Sequence, residues 1–173
     1  MGALRLILGD QLSLSISSLE DTRLAKDLVL MCEVSDQLTR VKHHIKKLAF
    51  ILSAMRHFAS ELEVNGHQVA YSKLDDETNT DDLKEEVRRT IKQYKAERIV
   101  VTSPSDYDTL QDIAGWQDEF GIPIEIRDDT RFLCSEQEFQ QWASNRKQLR
   151  MELFYREMRK KHSILIEDNK PVG

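Results

Sequence analysis

LRLILGDQL at residues 4–12 and LVLMCEV at residues 28–34 decide the fold. Each is a short apolar run closed by an acid within a few residues, too short for a buried helix and without the alternation of a half-exposed strand. That is the signature of β-strands covered on both faces, as in a parallel sheet. Leu4–Leu8 and Leu28–Val34 therefore read as the first two strands, and Gln68–Leu74, Arg98–Thr102 and Ile124–Arg127 follow as three more. Between the second and third strands Val41, Ile45, Leu48, Ile51 or Leu52, Met55, Phe58 or Ala59 and Leu62 recur at three- and four-residue steps, and Asn65-Gly66 supplies a stop. The spacing predicts a long crossover helix whose His44 faces the sheet while His43 points outward.

A second helix opens near Thr80-Asp81-Asp82 and runs through Leu83, Val87, Ile91 and Tyr94. A third spans Leu110–Phe120 and is closed by Gly121-Ile122-Pro123. Ser135-x-x-Glu138 is a capping box opening a helix toward Trp142, and another helix is expected from Lys147 to about Lys161. Strands alternating with helices, joined by right-handed crossovers, give an α/β, Rossmann-like, doubly wound five-stranded parallel sheet in the order 3-2-1-4-5 with helices on both faces.

Composition narrows what such a domain can do. The chain has 173 residues, long enough for one compact core. A net charge of −5 argues against a protein that coats nucleic acid through many Lys and Arg contacts. Two cysteines, Cys32 and Cys134, fall outside any CxxC spacing, which fits reduced thiols in a cytoplasmic protein and no metal cluster built from this chain alone. No apolar run approaches the ~20 residues of a membrane span, and the first residues lack a basic signal-peptide start.

In a doubly wound sheet, ligands bind beyond the carboxyl ends of the strands where strand order reverses. That places Gly9-Asp10-Gln11, Glu33-Val34 with Asp36 and Gln37, and Thr102 to Asp106 around one polar crevice. No G-x-G-x-x-G follows the first strand and no G-x-x-x-x-G-K-[ST] occurs anywhere, so a pyrophosphate is poorly served. Acids at adjacent strand ends suit instead a heterocycle with N–H donors and a polyol chain. Asp10-Gln11 can equally serve as a loop cap. Glu33 is the more suggestive, since a carboxylate closing an apolar run must find a partner. Hydrolase motifs such as G-x-S-x-G are missing, and the histidine pair lacks a third metal ligand at helical spacing.

Charge is uneven. From Gln37 to Ser60 there is no acid, while Arg40, Lys42, Lys46, Lys47 and Arg56 occur; a second basic stretch runs from Arg146 to Lys161. Such runs are either solvated helix faces or contact surfaces. The last helix favours contact, because Leu149, Met151, Leu153, Phe154, Tyr155 and Met158 exceed what one face can bury. Self-association through Phe154, Tyr155 and Met158, or a scaffold domain docking a partner there without any ligand, is the alternative to a binding role for the crevice.

Four stretches together resemble one family: LRLILGDQLS at 4–13; CEV at 32–34 followed by VKHHIKKLAFILSAMRHFA at 41–59; RFL at 131–133 with WASNRK at 142–147; and MELFYREMRKKHSILI at 151–166 leading to PVG. The sequence is similar to the N-terminal domain of the deoxyribodipyrimidine photolyase-related proteins, the iron–sulfur bacterial cryptochromes and (6-4) photolyases. The resemblance implies an α/β antenna domain at residues 1–146 and, at 147–173, a C-terminal helix with the start of a linker to a helical domain. That further domain would carry FAD and a [4Fe–4S] cluster and would contact DNA for light-driven repair, or signal. This chain alone is not expected to catalyse a reaction. Its expected ligand is 6,7-dimethyl-8-ribityllumazine, a small-molecule chromophore lined by Gly9, Asp10, Gln11, Glu33, Val34, Gln37, His44, Leu48 and Ile51. Asp10 and Glu33 would hydrogen-bond its ring or hydroxyls, and Ile51 would pack on the ring. Gln37 and Arg40 depart from the acid and aromatic usual in that family, so Gln37 offers an amide where a carboxylate is expected.

Overall fold

A computed structural model describes residues 2–167 and 170–172, the side chains of residues 37, 170 and 171 excepted. The chain divides into two compact units, Met1–Asp129 and Thr130–Gly173. In the first, strands β1 (Ala3–Leu6), β2 (Leu28–Cys32), β3 (Gln68–Ser72), β4 (Arg98–Thr102) and β5 (Ile124–Arg127) form one parallel sheet in the order β3-β2-β1-β4-β5. This is the order and direction read from the sequence. The first three strands stop two residues earlier than expected. Ile7 still donates its amide to Leu30 O at 3.1 Å, while Leu8 and Val34 are buried beyond the paired residues, so their apolar character reports burial and not strand pairing.

Alternate β2 residues serve two cores. Leu28, Leu30 and Cys32 pack with Leu4, Leu6, Ile99 and Val101 against α3 (Leu83–Tyr94) and α4 (Tyr107–Phe120), where Val87, Ile113 and Trp116 are buried. Val29 and Met31 pack with Ile7, Ile16 and Leu19 against α2 (Ile45–Val64). Asp82 caps α3 by accepting from the Glu85 amide at 2.9 Å. Asp106 caps α4 through the Thr109 amide at 2.9 Å, which starts that helix three residues ahead of the expected Leu110. Gly121, at φ 67, ends it with the left-handed geometry glycine adopts without strain.

The crossover helix corrects the sequence reading at its start. His44 does not lie on the helix facing the sheet; it is the N-cap, exposed, with Nδ1 accepting from the Lys46 amide at 3.1 Å. A cap residue must leave helical geometry, and this ends the three- and four-residue pattern at Ile45 although Val41 continues it in sequence. His43 is the half-buried member of the pair. Only the second half of α2 is buried, at Met55, Phe58, Ala59 and Leu62; Leu48, Ile51 and Leu52 are half-buried. A short helix α1 (Ser35–Thr39), not read from the sequence, precedes it.

The second unit holds α5 (Glu136–Ser144), opened by the expected capping box, and α6 (Met151–Lys161), which begins four residues later than expected. Phe139, Trp142 and Phe154 form its aromatic centre, with ring centroids 5.0–5.7 Å apart. Ile166–Glu167 (β6) and Lys170–Pro171 (β7) pair antiparallel. Arg159 ties this hairpin to α6, donating to the carbonyls of Ile164, Leu165 and Val172.

Candidate functional site

The carboxyl ends of β1, β2 and β4 open into a cleft of about 560 Å³. One wall is apolar, made by Leu8, Leu48, Ile51, Leu52 and Met55; the polar edge carries Asp10, Arg40, His43, Lys47, Ser105 and Asp106. Volume and lining match those of small-molecule sites. Gly9 lets the end of β1 pass beneath α2, since a Cβ there would lie 3.1 Å from Met55 Sδ and 3.7 Å from Ile51 Cγ2.

Of the residues expected to bind ligand, Gly9, Asp10, Glu33, Val34, Leu48 and Ile51 meet at this cleft. Gln11 does not. It is fully buried, its Oε1 accepting from the Leu8 amide at 3.3 Å and its Nε2 donating to Thr102 O at 3.0 Å, so it fastens the loop after β1 to β4. His44 lies outside the lining as the helix cap, and the Gln37 side chain lies outside the described residues.

Asp10 is exposed and accepts from Ser105 Oγ at 2.6 Å, joining the ends of β1 and β4. Glu33 is the opposite case. Arg56 grips it bidentately, at 2.6 Å from Nε and 2.7 Å from Nη2, while Tyr71 OH donates at 2.6 Å and the Leu74 amide at 3.0 Å. Four donors fill the lone pairs a carboxylate offers. Burial alone would raise the Glu33 pKa, but Arg56, Tyr71 and the Leu74 amide outweigh it and hold the group below its ordinary range. The same contact, added to burial, pushes the Tyr71 phenol up. Glu33 thus shapes the cleft by fixing α2 and the end of β3 to the end of β2, and its oxygens are committed to protein donors.

Asp106 receives the Thr109 amide and hydroxyl as well as Arg40 Nη1 at 3.1 Å, and the Thr109 contacts lower its pKa most. Arg40 also reaches Asp36 at 3.3 Å, linking α1 to α4. Lys47 Nζ lies 3.3 Å from His43 Nδ1. Arg40, His43 and Lys47 were not read as lining residues. Arg40 and Lys47 belong to the acid-free basic run, which identifies charge but not which cations turn inward, and His43, expected to point outward, lines the cleft instead.

The Cys32 thiol also lines the cleft, its pKa pushed far up by burial, which leaves it protonated and unreactive. Among the described residues no group of three or more His, Cys, Asp or Glu is arranged to hold a metal ion, and the two cysteines do not supply a four-cysteine cluster site. Among the same residues no helix is long and apolar enough to cross a membrane. In the second unit Phe154, Tyr155 and Met158 line an apolar groove with Phe132, Leu133 and Phe139.

Residues 5–173 match the family of deoxyribodipyrimidine photo-lyase-related proteins. The chain belongs to that family. The photolyase-related chain is 46% identical to a (6-4) photolyase of Agrobacterium fabrum over 173 residues, all of this chain but only 34%, about a third, of that protein's length. It is 26% identical over 143 residues to the uncharacterized protein R852 of Acanthamoeba polyphaga mimivirus, covering 80% of this chain and 70% of that protein. The quoted stretches from LRLILGDQLS to MELFYREMRKKHSILI all lie within, or one residue ahead of, the matched span.

Proposed function

We propose that the α/β unit of this photolyase-related protein holds a planar, light-absorbing heterocycle with a ribityl-type chain, 6,7-dimethyl-8-ribityllumazine being the form expected. Such a group absorbs light and passes the excitation to a flavin, which would be FAD in a further domain of a longer parent. Light-driven repair of DNA, or signalling, and any [4Fe–4S] cluster would belong to that parent.

The observation that carries this reading is the pairing of an apolar wall from α2 with a polar edge at the strand ends, in a cleft lacking a phosphate loop. Ile51, Leu48 and Met55 would pack on a ring face, excluding water from it. Asp10 would accept from a ring N–H or a hydroxyl while keeping its bond from Ser105. Glu33 would act through structure, holding α2 at the spacing a flat ring needs.

Titrating 6,7-dimethyl-8-ribityllumazine into the chain and following fluorescence anisotropy tests the reading. Saturable one-to-one binding is expected. A flat titration, with circular dichroism showing the native fold, would remove the antenna role.

A further inference from the structure

We infer that the cleft prefers a heterocycle whose chain ends in an anion, a phosphomonoester on the ribityl chain, and that Lys47 and His43 hold that anion. The inference rests on the chromophore reading above and adds the chemistry of the tail.

It follows from which charges in the cleft are already answered. Glu33 is satisfied by Arg56, Tyr71 and Leu74. Asp106 is matched by Arg40 and Thr109, and Arg40 by Asp36 and Asp106. Lys47 makes no ion pair among the described residues; its ammonium approaches His43 Nδ1 at 3.3 Å. An ammonium has no lone pair, so Nδ1 must be the acceptor in that contact and the ring proton sits on Nε2. The two side chains then carry donors in excess of acceptors: the remaining ammonium N–H groups and the histidine Nε2–H. A neutral hydroxyl answers such a pair weakly, whereas a phosphate oxygen accepts charge-assisted bonds from both.

The surroundings act in the same direction. Lys47 is the third residue of the 20-residue helix α2, where the helix dipole favours negative charge. Lys42 and Lys46 flank the pair in a stretch, Gln37 to Ser60, that has no acid. The acceptor end of the cleft is Asp10 with Ser105, on the ends of β1 and β4. The cleft therefore has an acceptor at one place and a donor pair at another. This suits a ring that donates an N–H and a tail that carries negative charge. Two side-chain donors suffice for one phosphate, which explains how a phosphorylated ligand is accommodated without the glycine-rich loop that a pyrophosphate requires.

Riboflavin and riboflavin 5′-phosphate share ring and ribityl chain and differ only in the phosphate, so their fluorescence quenching by the whole chain isolates the inferred contact. In low salt the phosphate form is expected to bind about tenfold tighter or better, and the ratio should shrink as ionic strength rises toward ~1 M. Lys47→Gln should bring the ratio below about twofold, Lys47→Arg should retain most of it, and the charge control Lys92→Gln on α3 should leave it unchanged. Equal affinities for the two flavins in wild type, or a ratio insensitive to Lys47→Gln, would overturn the inference. If ribityllumazine or riboflavin binds and phosphate adds nothing, the anion subsite alone fails. If none of the three binds to a natively folded chain, the chromophore reading fails with it.

Discussion

Strand β2 is bracketed by two buried carboxylates, Asp27 just before it and Glu33 just after, and the two are answered differently. Asp27 accepts from the Ala3 amide at 3.1 Å, the Arg23 amide at 3.2 Å and Arg5 Nε at 2.9 Å, and Arg5 is itself fully buried. Arg5 continues to the carbonyls of Ser18 and Glu20. Asp27 also pairs with Arg23 Nη2 at 3.1 Å, a side chain 49% exposed, so one of its two cations is buried and one is not. Glu33 is as buried as Asp27, but the cation that grips it, Arg56, is 47% exposed and no buried cation stands beside it among the described residues. At the amino end of the strand the Arg5–Asp27 pair is sealed inside the fold, with Arg23 covering it from the surface; at the carboxyl end the pair sits at the margin of the cleft. The sealed pair has no route to a ligand. The half-open one gives the cleft a fixed wall from a helix that is otherwise only half-packed.

The contrast is broken most severely by removing the sealed acid. Asp27→Ala leaves Arg5 buried with, among the described residues, only the exposed Asp21 as an ionic partner, and should cost about 3–5 kcal/mol in urea denaturation. Arg56→Met should cost less, about 1–2 kcal/mol, because Arg56 is half in water and Tyr71 and Leu74 still donate to Glu33. It should also weaken chromophore binding. Equal losses for the two variants would erase the distinction drawn between the ends of β2.

Acid sharpens the same comparison. Burial opposes ionisation of Asp27, yet the Ala3 and Arg23 amides with Arg5 lower it to about 2 from an ordinary 3.8, and Glu33 is lowered from 4.5. A carboxylate depressed on folding contributes stability in full above its unfolded value, and that contribution is lost as pH falls through the folded one. Urea midpoints should therefore be little affected by these two groups between pH 7 and 5 and should decline between about pH 4.5 and 2, with a shallower decline in Asp27→Asn. A midpoint rising as pH drops through that window would contradict the assignment.

Smaller effects probe the cleft itself. Ile51→Trp places an indole where Ile51 is only half-buried, so stability should change by less than ~1 kcal/mol while affinity for ribityllumazine falls about tenfold or more. Gly9→Ala brings a methyl to 3.1 Å from Met55 Sδ, an unbranched thioether able to shift, and should cost under ~1 kcal/mol in thermal unfolding.

The sheet was legible because β2 and β4 are runs of large apolar residues whose burial leaves one economical arrangement, and Arg98–Thr102 and Ile124–Arg127 have the bounds read for them. The capping box at Ser135 and Glu138 was legible because its chemistry is local. The site was less so. The demand of Glu33 for a partner could be read from its place after LVLMC, but Arg56 lies 23 residues away and Tyr71 38 away, and spacing carries no information on such pairings. The exchange of roles between His43 and His44 turned on one cap hydrogen bond, which hydrophobic periodicity does not register. Gln11 looked like a ligand contact because it follows Asp10, whereas its amide fits a gap between two backbone segments that only the folded chain brings together.

Chromophore binding in the cleft at the ends of β1, β2 and β4 can be read residue by residue. Amide chemical-shift mapping of the nitrogen-15-labelled chain during addition of 6,7-dimethyl-8-ribityllumazine tests it most directly. Saturating shifts are expected at Gly9, Asp10, Val34, Ile51 and Ser105 with Phe132, Tyr155 and Met158 unmoved. Shifts confined to the apolar groove of the second unit, or none at all at saturating ligand, would contradict it.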